Sequence, residues 1–428
     1  MRPNRASRPG PTFTLGYEAL SASRQPSGAL ESSERNRHCI GSIPCAAAVW
    51  KGRGRPLRGV FVMPAIDSET NPYSDLPEIA FWRNAVQNGD PRSPEGIYSR
   101  KFEIARDAKI ATAGSCFAQH IARHLRAQGF PVIDMERAPG GFSGKAAEAF
   151  GYGLYSARYG NVYTVRQLLQ LLQETKSAKE TEQVVWERDG RYFDALRPGV
   201  EPDGLESPDE VMVHRQAHLK AVARMVRTMD LFIFTLGLTE AWVHRRTGVV
   251  YPTAPGVIAG RFDPDEFTFK NFTHSEILGD LQQVYRLLKR SRPELKIILT
   301  VSPVPLTATA SGRHVLPATQ YSKATLRSAA GEMADLHEDV DYFPSYEIIT
   351  NPAARSDFFA GNLRSIAPQG VDTVMRTFSS AHVPEEASTI AAPPLSAESE
   401  PKRAPKPRDE DDVICEEMLL DAFAKGGC

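Results

Sequence analysis

A glycine, a serine and a cysteine follow one another at Gly114–Cys116, between two segments of contrasting pattern. Residues 110–113 are small or apolar, as in a buried strand, and an amphipathic helix pattern begins at Phe117. A nucleophile at this point would meet the first amides of a helix, which favour developing negative charge. Ser115 and Cys116 are therefore candidate nucleophiles. The alternative is a tight turn in which Ser115 only caps the helix.

Strand-like and helix-like segments alternate from about residue 100 to about residue 380. Strands are predicted for the runs KIATA (109–113), GFPVID (129–134), LFIFTLG (231–237) and KIILTV (296–301), and VDYFPSYEI (340–348) is predicted to be a last strand that runs into a loop. Helices are predicted after Cys116, over residues 213–229, from Ser275, from a cap at Ser322 and from Pro368. This alternation indicates an open parallel sheet with helices on both faces.

Small or polar residues follow several of the predicted strands. The carboxyl ends of parallel strands share one rim, and ligands of such folds bind beyond that rim. The segments concerned are Gly114–Cys116, Gly237–Glu240, Ser302–Pro305 and Phe343–Glu347. We expect the first three of these segments to converge with Asn161 on one cleft.

Several short motifs, taken together, resemble a known family. They are GSCFA (114–118), YGNVYT (159–164), TVSPVP (300–305), YSK (321–323) and DYFPSYEI (341–348). In this order they resemble the GSCFA family over about residues 70–380. That family is similar to the SGNH/GDSL hydrolases, which cleave or transfer O-acyl groups, often acetyl esters of sugars. The resemblance implies a flavodoxin-like three-layer α/β/α sandwich with a parallel sheet.

The resemblance implies a nucleophile at one of two adjacent positions. SGNH enzymes carry Gly-Asp-Ser after the first strand, and aligning the glycines places Cys116 at the nucleophile. A shift by one residue places Ser115 there instead. A serine hydroxyl needs a partner base, whereas a cysteine at a helix start can be partly thiolate without one. Both alternatives stay open at this point.

The resemblance also implies an oxyanion hole made from amides and an asparagine side chain. The candidate oxyanion and substrate-binding residues are Gly114, Gly160, Asn161, Gly237, Thr239 and Glu240. Thr239 stands where the superfamily has an asparagine. The alternatives are a turn role for Asn161 and a helix-start carboxylate for Glu240. Trp242 is expected to pack in the core or to floor a sugar-binding pocket.

The Asp-x-x-His motif that supplies the base in SGNH enzymes is missing. In the corresponding stretch, GNLRSIAPQGVD (361–372), Asn362 and Ser365 occupy those two places. His314, in the loop after the TVSP strand, is the candidate replacement base, and an ordinary loop histidine is the alternative. Arg364 is expected either to bind an anionic group at the rim or to be a surface arginine.

Two functions follow as hypotheses. The first is an O-acyl esterase or acyltransferase that acts on a small acylated molecule or carbohydrate through an acyl-enzyme on Ser115 or Cys116. The second is a non-catalytic protein that binds a glycan or metabolite in the same cleft, because the Asp-x-x-His base is missing. No cofactor or metal is expected, since the five cysteines show neither a disulfide framework nor a zinc spacing.

Composition bears on possible partners and on the cellular compartment. A formal net charge of −1 gives no argument for nucleic acid, and no run of 18 apolar residues predicts a membrane span. The scattered cysteines favour a reducing, cytoplasmic compartment. These observations leave the oligomeric state open.

The two ends differ in composition from the middle. Residues 1–62 are rich in Arg, Ser, Pro and Gly and are predicted to form a disordered basic extension. A transit-like segment and an over-long start before Met63 are the alternatives for this extension. The GSCFA domain is predicted over residues 63–382, a disordered linker rich in proline and charge over 383–412, and a short amphipathic tail over 413–428.

Overall fold

The computed structural model describes residues 71–177, 181–382 and 415–424 of the 428-residue chain. The predictions made for residues 1–62 and 383–412 lie outside the described residues. Among the described residues, none of the helices combines the length and the hydropathy that a membrane crossing requires.

The regular elements of the described residues are named in chain order. The strands are β1 (Ile110–Gly114), β2 (Val185–Arg188), β3 (Arg191–Asp194), β4 (Leu231–Leu236), β5 (Glu240–His244), β6 (Val250–Tyr251), β7 (Phe267–Asn271), β8 (Lys296–Val301) and β9 (Val340–Phe343). The α-helices are α1 (Ala118–Ala127), α2 (Gly144–Ala149), α3 (Val165–Glu174), α4 (Pro208–Thr228), α5 (His274–Ser291), α6 (Val315–Leu336), α7 (Ser345–Ile349) and α8 (Pro368–His382). Shorter helical turns are Glu78–Ala80, Arg83–Gln87, Pro352–Ala354 and Glu416–Phe423.

The central sheet is parallel throughout and has the strand order β1-β4-β8-β9. Beyond β1, Val132 forms a single parallel bridge with Ile110, so the predicted strand GFPVID contributes only one residue pair. With that bridge included, the order corresponds to the flavodoxin-like arrangement 2-1-3-4-5, whose ligands bind at the carboxyl ends of the strands. The predicted parallel arrangement of the other four strands is confirmed. The last of them ends at Phe343, and the predicted loop after it is instead the helix α7 (Ser345–Ile349).

Side chains that alternate along each strand build two hydrophobic cores, one on each face of the sheet. In β4, Phe232 and Phe234 belong to one core, whereas Leu231 and Ile233 belong to the other. Helices α3, α4, α5 and α6 cover the first face, and α1, α7 and α8 cover the second. A strand buried on both faces favours apolar residues at nearly every position, which explains why Thr235 is the one polar residue in LFIFTL. The predicted three-layer α/β/α class is therefore confirmed.

Helix α6 begins earlier than the sequence pattern predicts. The helix starts at Val315, and the side chain of His314 caps it by accepting the amide hydrogen of Leu316 at 3.1 Å. Pro317 fits the first turn because amides there have no partner inside the helix. The prediction of a cap at Ser322 is therefore wrong. The Ser322 hydroxyl instead accepts the amide hydrogen of Thr239 at 3.0 Å.

Two small antiparallel sheets, which the sequence pattern does not predict, are inserted into the parallel fold. One is the β2–β3 hairpin, and the other has the order β6-β5-β7. Their strands are short and mix buried residues with partly buried or exposed ones, many of them polar, so they lack the continuous apolar signal of the central strands. Glu240 begins β5, and it therefore does not start a helix.

A buried cluster of charges joins β3 to α4. Arg197 Nε donates to Asp194 Oδ2 at 2.8 Å, and Arg215 Nη1 lies 3.0 Å from Asp194 Oδ1. His218 Nδ1 lies 2.6 Å from Glu136 Oε2. Burial alone would raise the pKa of the Asp194 carboxyl, but Arg215 and Arg197 lower it to about 2. Burial would likewise raise the pKa of Glu136, but His218 and Arg197 lower it to about 2.

Loss of the Asp194 charge is expected to destabilise the fold. Asp194→Asn leaves Arg215 with Glu174 as its counter-charge and Arg197 with the more distant Glu136, 3.8 Å away. The loss of the Asp194 charge from this buried cluster is expected to cost about 1.5–3 kcal/mol of unfolding free energy, the range for hydrogen bonds to charged groups. The matched control is Asp372→Asn, which breaks an exposed pair with Arg376 and should cost less than about 0.5 kcal/mol. Urea unfolding followed by circular dichroism measures both, and equal effects in the two variants would contradict the prediction.

The same cluster predicts acid sensitivity of the unsubstituted chain. The folded-state pKa of Asp194 is depressed from 3.8 to about 2, so its contribution to stability is present above the unfolded value. That contribution is lost as the pH falls from about 4 through about 2, and it amounts to on the order of 2 kcal/mol. The urea midpoint should therefore fall over this interval, and less so in Asp194→Asn.

Candidate active site

The turn after β1 depends on a glycine. Gly114 has φ +138°, and a Cβ at this position would lie 2.3 Å from the carbonyl oxygen of Thr235 in β4. Only glycine allows the two strands to approach this closely while the chain leaves the sheet. The hydrogen bonds of the following turn begin with the amide of Ala118, which donates to the carbonyl oxygen of Ser115 at 2.9 Å. The amides of Cys116 and Phe117 therefore precede the bonded turns of α1 and lie at its positive end.

Ser115 and Cys116 are both buried, but their side chains have different surroundings. The Ser115 hydroxyl has no hydrogen-bond partner among the described residues. Its Cβ faces Gly237, where an added Cβ would lie 3.0 Å away. The Cys116 thiol is hydrogen-bonded to the thiol of Cys415 and lies within the electrostatic range of Lys323 and Arg364. Cys116 therefore faces the charged side chains of the cleft.

One small cavity brings several of the predicted segments together. Its lining comprises Ser115, Cys116, Tyr163, Gly237, Leu238, Ser302, Val304, Leu306, Lys323 and Glu417. Three predicted segments therefore meet here: the turn after β1, the end of β4 and the loop after β8. Thr239 and Glu240 lie beside this cavity and do not line it. The Thr239 hydroxyl donates to Asn271 Oδ1 at 2.7 Å, and Glu240 Oε1 accepts from the Thr309 hydroxyl at 2.8 Å.

Backbone contacts hold the segment that contains Gly160 and Asn161 against the strand ends. The amide of Val162 donates to the carbonyl oxygen of Gly114 at 2.9 Å. The carbonyl oxygen of Tyr163 accepts from the amides of Gly237 and Leu238 at 3.1 and 3.0 Å. Gly160 has φ +66°, which favours glycine. These bonds fix Asn161 and Tyr163 at the rim of the sheet, next to the turn after β1.

The side chain of Asn161 is oriented by its neighbours. The hydroxyl of Tyr155 lies 2.5 Å from Asn161 Oδ1 and 3.2 Å from the carbonyl oxygen of Ser115. Because Oδ1 accepts from Tyr155, the Nδ2 group of Asn161 points away from Tyr155. This Nδ2 group donates to the carboxylate of Glu416. The hydroxyl of Tyr163 donates to the same carboxylate oxygen at 2.9 Å. Asn161 and Tyr163 thus direct two donors at one oxygen, as an oxyanion hole does.

Lys323 is the buried basic side chain of this cavity. It projects from α6, is 2% exposed, and donates from Nζ to the carbonyl oxygen of Gly237 at 2.6 Å. Burial lowers the pKa of its ammonium group to about 8, although the nearby acids Glu417 and Cys116 favour the charged form. A lysine with such a pKa is partly neutral near pH 7 and can accept a proton.

The structure places His314 at the surface. Its side chain is exposed and is used to cap α6. It is not among the residues that line the cavity of Ser115 and Cys116. Its role as base stays a prediction that nothing in the geometry supports.

A C-terminal segment of the chain, Cys415–Ala424, lies in the cleft. Besides the contact between Cys415 and Cys116, Glu416 receives the hydrogen bonds of Asn161 and Tyr163. Glu417 lines the cavity of Cys116, and its Oε2 lies 3.2 Å from Nη2 of Arg364. The segment therefore places a thiol and two carboxylates against the side chains that could do chemistry.

The C-terminal segment changes the protonation of Cys116. The hydrogen bond with Cys415, followed by burial and the charge of Glu417, raises the pKa of the Cys116 thiol. The same hydrogen bond, together with the Arg364 guanidinium, lowers the pKa of Cys415. Burial raises the pKa of Glu417 to about 8. Cys116 is thus held as a neutral thiol while the segment is in place.

A larger groove adjoins the cavity of Cys116. Its volume is about 230 Å³, and aromatic side chains of the β6-β5-β7 sheet, including Trp242, Tyr251 and Phe269, form much of its wall. Glu417 lines both the groove and the smaller cavity, so the two spaces meet at this residue. Trp242 is only partly buried, and its ring centroid lies 5.0 Å from that of Phe262. Within the described residues, no group of three or more His, Cys, Asp or Glu is arranged to hold a metal ion.

Several residues of the site were not singled out by the sequence analysis. Lys323 and Tyr163 lie inside the motifs YSK and YGNVYT, so their positions in the resemblance carried a signal. Tyr155, Glu416 and Glu417 carried no such signal, because single tyrosines and acidic tails are common in sequences that have no site. Only the fold shows that they meet the turn after β1.

A model of the GSCFA family matches residues 109–378, which is more than half of the chain. The chain belongs to the GSCFA family. No curated protein shows a significant match to it. Among solved structures, a Clostridium thermocellum family 3 carbohydrate esterase is similar at 11% identity, covering 64% of this chain and 94% of that chain, with a TM-score of 0.23. A likeness of this size carries no argument about activity.

Proposed function

We propose that this GSCFA protein is an O-acyl esterase or acyltransferase that forms a thioester with its substrate's acyl group on Cys116. The observation that carries the proposal is the position of Cys116 at the positive end of α1, facing a cavity that also contains the buried amine of Lys323. The Ser115 hydroxyl has no partner among the described residues that could take its proton. This difference favours Cys116 over Ser115 as the nucleophile.

The cleft supplies each part of an acyl transfer. Neutral Lys323 takes the proton of the Cys116 thiol while Sγ attacks the ester carbonyl. The Asn161 amide, the Tyr163 hydroxyl and the Cys116 amide donate hydrogen bonds to the oxyanion. The C–O bond of the ester then breaks, and the leaving alkoxide takes the proton from Lys323. Water or an acceptor alcohol finally attacks the thioester, Lys323 takes its proton, the C–S bond breaks, and the acyl group leaves as an acid or a new ester. The Cys116 thiolate then takes the proton back from Lys323.

This reaction requires the C-terminal segment to leave the cleft. The Glu416 carboxylate takes the two hydrogen bonds that an oxyanion would need. Without the segment, the raising effects of Cys415 and Glu417 on the pKa of Cys116 are absent, and the positive charge of Arg364 still lowers it. Thiolate character, and hence reactivity, is therefore expected in the open state.

The groove next to Cys116 supports a carbohydrate or similar ring as part of the substrate. Its wall combines the rings of Trp242 and Phe269 with the polar side chains of Glu240 and Thr309. Aromatic faces pack against the apolar face of a sugar, and a few polar groups fix its orientation. We include an acylated carbohydrate in the proposal on this ground and on the resemblance to the SGNH hydrolases.

A cytoplasmic location is also part of the proposal. Cys116 and Cys415 are free thiols although their side chains are hydrogen-bonded to each other. Adjacent thiols of this kind persist in a reducing compartment and oxidise outside one.

A binding protein without catalysis is the second candidate. One observation favours it: no histidine is found among the described residues that line the cavity of Cys116. In this case the cleft would hold a glycan or metabolite, and the C-terminal segment would be its competitor.

Mapping of the acyl group tests the proposal. The full chain is mixed with 4-nitrophenyl acetate, quenched rapidly and digested for peptide mass spectrometry. We expect a burst of nitrophenol equal to the chain concentration and an acetyl group on Cys116, because deacylation follows acylation as a separate step. A Cys415→Ser variant is the control, since it removes the neighbouring thiol and should still be labelled at Cys116. An acetyl group on Ser115 would reassign the nucleophile, and a chain without burst or label would favour the binding protein.

A further inference from the structure

Arg364 reaches the cleft from the segment that precedes α8. Its guanidinium side chain is only 14% exposed, and Nη2 lies 3.2 Å from Oε2 of Glu417 and 3.9 Å from Sγ of Cys415. The Nε atom of the same guanidinium is buried and has no hydrogen-bond partner among the described residues. One edge of this guanidinium therefore carries one donor in use and one donor without a partner.

The donors Nε and Nη2 lie side by side on one edge of the guanidinium, and their spacing matches the two oxygens of a carboxylate. Bidentate pairing of this kind is the strong and directional form of arginine recognition. Glu417 uses only the Nη2 donor, so it fits this edge incompletely. A buried donor without a partner is unfavourable, so a ligand that satisfies both donors would be favoured.

This edge of Arg364 lies close to the nucleophile. The guanidinium charge of Arg364 acts on Cys116, and its partner Glu417 lines the same cavity as Cys116. In the described residues, the carboxylate that pairs with Arg364 comes from the C-terminal segment. When the segment leaves, the guanidinium loses its neighbours Glu417 and Cys415, and a negative group that pairs with it would be favoured.

We propose that Arg364 forms a carboxylate subsite beside Cys116, that the substrate is a carboxylate-bearing ester, and that Glu417 occupies this subsite in the chain's own closed state. The substrate class rests on the proposed function, whereas the subsite itself does not. A substrate carboxylate would pair with both Nε and Nη2 of Arg364 and would displace Glu417. The C-terminal segment would thereby act as a competitor with the same chemistry as the substrate.

Alkylation by two matched reagents tests the subsite without any ester turnover. Iodoacetate carries a carboxylate, and iodoacetamide is its neutral counterpart; both alkylate thiolates. The rate at Cys116 is followed by peptide mass spectrometry, with glutathione in the same solution as the free-thiol reference. We expect saturation with iodoacetate, and an iodoacetate-to-iodoacetamide rate ratio at Cys116 at least ~10-fold above that of glutathione, as expected for charge-assisted hydrogen bonds.

Substitutions of the pair should change this ratio in opposite directions. Arg364→Gln should bring the ratio close to that of glutathione, and Arg364→Lys should give an intermediate value because it keeps the charge without the fork. Glu417→Gln should raise the iodoacetate rate most clearly above about pH 8, where Glu417 is ionised and competes as a carboxylate. The matched controls are Arg290→Gln on the exposed face of α5 and Asp421→Asn in the exposed part of the C-terminal segment. Both should leave the ratio unchanged.

Two results would overturn the subsite. One is a ratio at Cys116 equal to that of glutathione and unaffected by Arg364→Gln. The other is a Cys116 that neither reagent alkylates even in Glu417→Gln, because a subsite for small anions must be accessible. Selective alkylation in a chain without esterase activity would contradict the proposed function alone, and esterase activity without selectivity would contradict the subsite alone.

Discussion

Cys116→Ala is expected to abolish the acyl-enzyme and to lower kcat/KM for 4-nitrophenyl acetate by about 10³-fold or more. The physical reason is that the thiol forms the covalent bond to the acyl group, and no other described side chain of the cavity combines nucleophilicity with the helix terminus of α1. Stopped-flow kinetics gives the burst, and intact-mass measurement gives the acyl-enzyme. Both signals should disappear together.

Ser115→Ala is the matched control for this substitution. The two residues are adjacent and equally buried, so each substitution removes a few atoms from the same packed turn. We expect Ser115→Ala to retain activity within about 10-fold, because its hydroxyl contacts no base among the described residues. Thermal unfolding of both variants checks that the turn survives. The reverse order of effects would identify Ser115 as the nucleophile, and equal retention of activity would exclude an acyl-enzyme at either residue.

The central sheet could be predicted from sequence because its strands are buried on both faces. LFIFTL and KIILTV are mostly apolar, as expected of strands that are buried on both faces, and a helix pattern separates them. These two features predict parallel strands joined by a helix. The inserted strands could not be predicted. In a strand such as FTFKN, one residue is buried and three others are polar or charged, and this composition is equally common in loops. The start of α6 was misplaced because Ser322 resembles a cap, yet its hydroxyl serves the amide of Thr239 far away in sequence.

The candidate site was partly predictable for a topological reason. The ends of parallel strands share a rim, so the turn at Ser115 and Cys116 and the residues at Gly237 and Ser302 had to lie near one another. The proposed base, Lys323, could not be found this way, because it lies in the middle of a helix, where a lysine is usually solvent-exposed. The contacts of the C-terminal segment with the cleft could not be predicted either, because a short acidic segment gives no sequence signal of the surface it packs against.

Lys323→Met is expected to slow acylation of Cys116 by ~10²–10⁴-fold, the usual contribution of a positioned general base. Methionine keeps most of the length and the apolar stem of lysine, so the packing of α6 is largely preserved. The lost groups are the proton acceptor and the hydrogen bond to the carbonyl oxygen of Gly237. Single-turnover release of nitrophenol measures the acylation rate directly. Lys145→Met, at an exposed position of α2, is the control and should leave the rate unchanged.

The dependence of this rate on pH separates a base from a merely structural lysine. A base must be neutral to accept a proton, so the rate of the unsubstituted chain should rise with pH over the range in which Lys323 loses its proton. Burial lowers the pKa of this ammonium group to about 8 while the C-terminal segment is in place. The Lys323→Met variant should lose this dependence and follow the ionisation of Cys116 alone. Lys323→Arg adds a decisive comparison, because it keeps the positive charge but cannot give up its proton. An arginine variant as active as the original chain would show that Lys323 supplies only charge and position, whereas an arginine variant as slow as the methionine variant would establish proton transfer as its role.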